Sequence, residues 1–157
     1  MVTLLNQIPK PPYSALNPFD TTLNSPTGLA LKGDQLLVSD VTALREFDAE
    51  TGKALGKIEI PGARHLNDVA VAPDGSVYVA DLGSDSDVAG TGSDGRDAVY
   101  RISPAGTLVT LIRRAELLGP SALLADPSGL WLVNAGGELV HLLTSNATSL
   151  TSNEPSA

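Results

Sequence analysis

The sequence predicts an all-β chain built from repeated four-stranded antiparallel units, and three observations carry that prediction. One segment recurs three times: SPTGLALKGDQLLVSD at 25–40, RHLNDVAVAPDGSVYVAD at 64–81 and GPSALLADPSGLWLVNA at 119–135. Each copy has a polar turn, a short apolar strand, a tight turn and a second apolar strand. Turn formers are abundant and charge is sparse: 15 glycines and 11 prolines stand in a chain that is only 18% charged, which suits many short strands joined by tight turns. The spacing is also regular. Asp40 and Asp81 close the second strands of the first two copies, 41 positions apart, and about 40 residues is the size of a four-stranded propeller blade. Ala135 takes that place in the third copy, and one insertion, GSDSDVAGTGSDGRD at 83–97, accounts for the longer interval before it. The expected architecture is a partial β-propeller, roughly half a ring, completed by self-association or by further blades.

The elements follow in order. Residues 1–24 form a lead-in, with a strand candidate at 2–8 that is broken by Pro9, Pro11, Pro12 and Pro18. Three blades follow at 25–63, 64–118 and 119–143. In each, the innermost strand (29–31, 69–71, 122–124) is a short apolar run, and the first two are expected to be buried on both faces. The turns Lys32-Gly33-Asp34 and Pro73-Asp74-Gly75 supply Asp and Gly, which tolerate the positive φ that hairpins demand. The second strands are expected at 35–39, 76–80 and 130–133, the third at 43–48, 98–103 and 138–143, and the fourth at 54–60 and 108–112. Residues 113–118 can form one helical turn. The Ser-, Thr- and Asn-rich stretch 144–157 reads as a frayed tail.

Composition excludes several classes. Hydrophobic residues make up 42% of the 157, enough for a real core. A net charge of −8 argues against nucleic acid, whose phosphates need clustered Lys and Arg, and against anionic lipid. There is no cysteine, which removes disulfides and thiolate metal sites. No apolar run is long enough for membrane insertion. The start, MVTLLNQIPKPP, lacks a basic region followed by an apolar core. A signal peptide already removed would place the chain in the periplasm or outside the cell, so the compartment stays open. The triplet Asn146-Ala147-Thr148 fits a glycosylation sequon.

The strings LNDVAVAPDGSVYVAD, DAVYRISPAGTLVTL and GPSALLADPSGLWLV resemble the family of senescence marker protein, gluconolactonase and luciferin-regenerating enzyme, and more broadly the NHL-type propellers. The resemblance spans roughly residues 25–143. It implies a propeller whose central channel holds one divalent metal (Ca²⁺, Mg²⁺ or Zn²⁺), bound by Asn and Asp side chains just before an innermost strand together with an early Glu. Such a metal polarises a lactone carbonyl or activates water. Asn67 and Asp68 match those channel positions. The aligned turns Pro26-Thr27-Gly28 and Pro120-Ser121-Ala122 lack the Asn, and no Glu precedes Glu46, so the metal set is incomplete within one chain.

Each candidate residue has an alternative reading. Asn67 and Asp68 are metal or substrate ligands, or they cap the inner strand through loop backbone as Asx residues do. Asp85, Asp87 and Asp94 in the insertion offer oxygen ligands for Ca²⁺, but their spacing does not match an EF-hand, and a solvated acidic loop is the alternative. His65, beside the Asn67 turn, is a candidate general base. His141 lies in an alternating strand and reads as structural. Trp131 stands where Leu37 and Tyr78 stand, so it reads as blade packing. Asp40 and Asp81 are expected to bind turn backbone. Two functions follow. One is a lactonase-like propeller scaffold without a complete catalytic site, whose partner is itself or another propeller-containing chain. The other is a divalent-metal-dependent lactone or ester hydrolase acting in the channel on a small lactone.

Overall fold

The structure is a computed structural model that describes residues 23–83 and 95–142. The strand expected at 2–8, Asp85, Asp87 and Asp94, the sequon and the tail lie outside the described residues. Eleven strands and one short 3₁₀ turn are described, in three antiparallel sheets with simple up-and-down order. The first sheet holds β1 (Pro26–Lys32), β2 (Gln35–Asp40), β3 (Ala43–Asp48) and β4 (Ala54–Glu59). The second holds β5 (Leu66–Val71), β6 (Val77–Asp81), β7 (Ala98–Ile102) and β8 (Leu108–Arg113). The third holds β9 (Pro120–Asp126), β10 (Gly129–Asn134) and β11 (Leu139–Leu142). The expected helical turn is the 3₁₀ turn Ala115–Leu117.

The strands form where apolar residues alternate, and hairpins form where Asp and Gly interrupt them. In Pro73-Asp74-Gly75 the Asp74 carboxylate accepts the Ser76 amide at 2.8 Å, and Gly75 takes φ +82°. Asp126 does the same for Ser128 in the third sheet. The Ser76 amide holds the Asp74 carboxyl, and the Ser128 hydroxyl and then the Ser128 amide hold the Asp126 carboxyl, below the usual carboxylate range.

The sheets stack face to face with their first strands adjacent: β1 lies against β5, and β5 against β9. These are therefore the inner strands, and β4 and β8 the outer ones. Register gives each sheet a face toward the preceding sheet and one toward the following. Leu29, Val69 and Leu123 are equivalent, paired with Val38, Val79 and Leu132. Val69, Val77, Val79, Tyr100 and Ile102 of the second sheet pack with Leu37 and Leu44 of the first. Leu130, Leu132 and Leu142 of the third pack with Tyr78 and Val99 of the second. Two continuous apolar cores therefore lie between the sheets, one per junction.

The structure corrects two expectations. The strand at 29–31 is not buried on both faces: Leu29 and Leu31 are 68% and 63% exposed. Their alternate neighbour Ala30 packs into the first core, whereas Leu29 and Leu31 face where a preceding sheet would lie. The counterpart of Asp40 and Asp81 in the third copy is Asn134, not Ala135. Pro120 pairs with Asn134 as Pro26 pairs with Asp40 and Leu66 with Asp81. Asn134 is buried, and its side chain bonds the Glu138 amide and carboxylate.

Candidate functional site at the inner edge

The inner strands bring Asn67 and Asp68 to the junction of all three sheets. The main-chain carbonyl of Asn67 accepts hydroxyl groups from Ser39 at 2.6 Å and Thr27 at 2.7 Å, both in the first sheet. The Ser39 hydroxyl also accepts the Gly28 amide at 2.8 Å, so it clamps β1 to β5. On the other side, the Asn67 side-chain amide donates to the Pro120 carbonyl at 3.4 Å. The Asp68 carboxylate accepts its neighbour Val69 N–H on one oxygen at 2.9 Å. Its second oxygen accepts the Leu123 N–H of β9 at 2.7 Å. One dipeptide of β5 therefore bonds to the inner strands on both sides, β1 and β9, and to β2.

Gly28 is what lets β1 approach this closely. A Cβ there would lie 2.6 Å from the Asn67 carbonyl oxygen and 2.9 Å from an Asp68 carboxylate oxygen. The residue aligned with Gly28 is Asp68 in the second sheet and Ala122 in the third. The repeat alone does not reveal why the first copy needs the smallest residue.

Asp68→Ala is expected to destabilise the chain by about 2 kcal/mol, because the Leu123 and Val69 amides lose their acceptor at a partly buried junction. Hydrogen exchange at Leu123 should accelerate more than exchange within the β6–β7 ladder. Equal exchange at Leu123 in both proteins would show that the bond is not formed.

His65 sits in the buried lead-in to β5. Its amide donates to Asp81 at 2.9 Å, and its carbonyl accepts the Leu82 amide. Asp81 is fully buried and also accepts the amides of Arg64 and Gly83. The Tyr100 hydroxyl donates to Asp81 at 3.3 Å and accepts Arg113 at 2.7 Å. Burial first, and then the Asp81 charge, push the Tyr100 phenol above its ordinary value, so it stays protonated and can donate. Asp40 repeats the pattern in the first sheet, accepting the amides of Asn24 and Ser25. Asp97, at the end of the insertion, is buried and accepts the Gly119 amide at 2.9 Å, which fixes the entry to β9. Sequence reasoning assigned turn-binding to Asp40 and Asp81 but missed Tyr100, Arg113 and the burial of Asp97. A signal for Asp97 was available: it directly precedes the apolar run of β7.

His141 stacks on Trp131 with ring centroids 3.9 Å apart, on the third sheet's outward face. The Trp131 indole N–H donates to Asp126 at 3.0 Å. Trp131 pairs with Leu124 as Leu37 pairs with Ala30 and Tyr78 with Ala70, the equivalence the repeat indicated, but Leu37 and Tyr78 pack against the next sheet whereas Trp131 stacks on His141 of its own.

Three solved structures illustrate what the chain is similar to. A protein assigned as a gluconolactonase aligns at 26% identity and TM-score 0.55, over 71% of this chain and 42% of its own. A gluconolactonase of Xanthomonas campestris aligns at 22% identity and TM-score 0.60, over 81% and 46%. Nidogen, from a nidogen/laminin complex, aligns at 18% identity and TM-score 0.67, over 85% and 49%. The chain is three blades of a β-propeller. It spans somewhat less than half the length of these chains. No family model and no curated protein matches the sequence. The likeness to gluconolactonases agrees with the resemblance carried by the blade strings, and the three sheets are hereafter blades 1 to 3.

Proposed function

We propose that the chain is a gluconolactonase-like propeller module that binds and assembles through its blade faces and does not carry a complete hydrolytic site. The observation that supports this reading is the use of Asn67 and Asp68. Both Asp68 oxygens accept backbone amides, one of them from the next blade, and the Asn67 amide reaches the same neighbouring strand. The family-type metal does not fit this edge. The positions aligned with Asn67 carry Thr27 and Ser121, whose hydroxyls bond to the carbonyls of Leu66 and Val133. Among the described residues no three His, Cys, Asp or Glu side chains converge closely enough to hold a metal ion. His65 is held by its backbone within a buried lead-in, which suits a structural role.

The test is metal analysis and lactone hydrolysis on one preparation. After incubation with Ca²⁺, Mg²⁺ and Zn²⁺ and desalting, the chain is expected to retain far less than one equivalent of any of them. It should hydrolyse five- and six-membered lactones at the uncatalysed rate, and Asn67→Ala should change neither result. Stoichiometric metal, with turnover that Asn67→Ala abolishes, would establish the second reading. That reading, a divalent-metal-dependent lactone hydrolase, is favoured by the two gluconolactonase structures the chain is similar to.

A further inference from the structure

Blades 2 and 3 tie their first hairpins with the same brace. In blade 2 the Asp74 carboxylate accepts the Ser76 amide at 2.8 Å and the Ser76 hydroxyl at 3.0 Å, and the Arg101 guanidinium donates to the Ser76 oxygen at 2.8 Å. In blade 3 the Asp126 carboxylate accepts the Ser128 amide and hydroxyl, each at 2.6 Å, and the Ser128 oxygen meets His141 Nε2 at 3.3 Å. The two nitrogen groups are register equivalents on the third strands: Arg101 pairs with Tyr78 as His141 pairs with Trp131. Blade 3 therefore has an imidazole, whose charge depends on pH, where blade 2 has a permanent cation. The proton order follows from the chemistry. A carboxylate only accepts, so the single Ser128 hydroxyl proton is committed to Asp126, and His141 Nε2 must carry a proton and donate. His141 is then not placed as a base for Ser128, whose proton points away from the ring. A second proton, on Nδ1, leaves the Nε2 bond in place and adds a charge.

We propose that this cluster is a pH-dependent brace: on protonation His141 becomes in blade 3 the cation that Arg101 is in blade 2, and it tightens β11 and Trp131 onto the β9–β10 hairpin. Asp126 is the charge that meets it. The carboxylate takes both the Ser128 hydroxyl and the Trp131 indole N–H, the latter at 3.0 Å, so one anion anchors both partners of the ring stack. The imidazolium would also lie over the indole face, 3.9 Å between centroids and 11° from parallel, where a cation is attracted by the ring. Across residues 120–142 the only ionisable side chains are Asp126, Glu138 and His141. Glu138 is engaged by Asn134 at the other end of β11. Blade 2's Asp68, Asp74, Tyr78 and Arg101 lie on the opposite side of blade 3. Trp131 also walls an apolar groove bounded by Leu124, Val133 and Leu139. Acid thus fixes one wall of that groove, and loss of the proton loosens it. The added stability is present when the imidazole is charged and is lost as pH rises.

The experiment compares the full chain with its His141→Gln and His141→Arg variants at about pH 5.5 and about pH 8, on either side of imidazole titration. Thermal melting is the first readout. The margin of the wild type over His141→Gln should be about 3 °C larger at the acid pH. His65, the other of the two histidines, is common to both proteins, so its titration cancels in that margin. His141→Arg should melt at least as high as the wild type at the acid pH and keep its margin over His141→Gln at both. The second readout is fluorescence of Trp131, the only tryptophan. Acid should quench it in the wild type and leave it unchanged in His141→Gln. Ser128→Ala keeps the stack but cuts the chain to Asp126, so it should retain the quenching and reduce the melting shift. A margin over His141→Gln that is equal at both pH values would overturn the proposal, with or without quenching. So would His141→Arg melting below the wild type at the acid pH, or a melting shift that Ser128→Ala leaves whole.

Discussion

Asp81→Ala is expected to destabilise the chain by about 4 kcal/mol, the largest single effect of any substitution considered. The carboxylate is fully buried and is the acceptor for the Arg64, His65 and Gly83 amides and the Tyr100 hydroxyl. Truncation leaves all four donors facing a void, and unsatisfied buried donors cost more than a made hydrogen bond contributes. For a chain of this size that corresponds to a drop in melting temperature of about 12 °C. Asp81→Asn should lie between, because its amide oxygen still accepts one or two of these donors. Tyr100 gives an independent readout. The Asp81 charge raises its phenol, so Asp81→Asn should move Tyr100 ionisation to lower pH in an ultraviolet titration. A raised folded value also means that the Tyr100 contribution is intact below the ordinary tyrosine range and is lost as pH rises through the folded value. Wild-type stability should therefore fall at alkaline pH. An unchanged melting temperature in Asp81→Ala would show that these donors find water instead.

Gly28→Val is the second large effect. Even the first carbon of a side chain would sit 2.6 Å from the Asn67 carbonyl oxygen and 2.8 Å from the Asp68 Cα, both backbone atoms of the next blade. Neither can rotate away, so blades 1 and 2 must separate. Separation breaks the Ser39 and Thr27 bonds to Asn67 and opens the core between Leu37 and Val69. Overpacking of this kind costs about 3 kcal/mol, and with the lost bonds the melting temperature should fall by about 9 °C or more. Gly33→Ala is the contrast. Nothing lies within 4 Å of a Cβ there, and only its φ of +63° resists the change, so its cost should be about 1 kcal/mol. Similar losses for the two would mean that backbone conformation, and not blade contact, sets the Gly28 requirement.

The blades were legible in the sequence because alternation and Asp-Gly turns are local signals. β3 runs from Ala43 to Asp48 as expected, and most other strands differ from the expected bounds by a residue or two. What depends on a neighbouring blade was not legible. The exposure of Leu29 and Leu31 depends on which face meets a neighbour, and an apolar triplet looks the same with or without one. The equivalence of Asn134 with Asp40 was hidden by the second copy, whose longer first hairpin puts Asp81 15 positions after Leu66, whereas Asp40 and Asn134 each stand 14 positions after Pro26 and Pro120. Val41, a β-branched residue at φ +54°, gave no turn signal, yet its carbonyl accepts the Leu66 amide at 2.7 Å and so ties blade 1 to blade 2. At the candidate site, the sequence located Asn67 and Asp68 and offered both readings of them. The choice between strand capping and metal ligation turns on Leu123, 55 residues away from Asp68, and only the fold brings that amide to the carboxylate.

The most direct test of the account is a titration of the isotope-labelled chain with Ca²⁺, Mg²⁺ and Zn²⁺, followed at the backbone amide signals of Leu123 and Val69. These two N–H groups donate to the two oxygens of Asp68, so they sense any cation that recruits its carboxylate. The account expects no saturable shift at either amide at millimolar cation. Saturable, coincident shifts at both, at stoichiometric metal, would contradict it and return Asp68 to the role of a ligand.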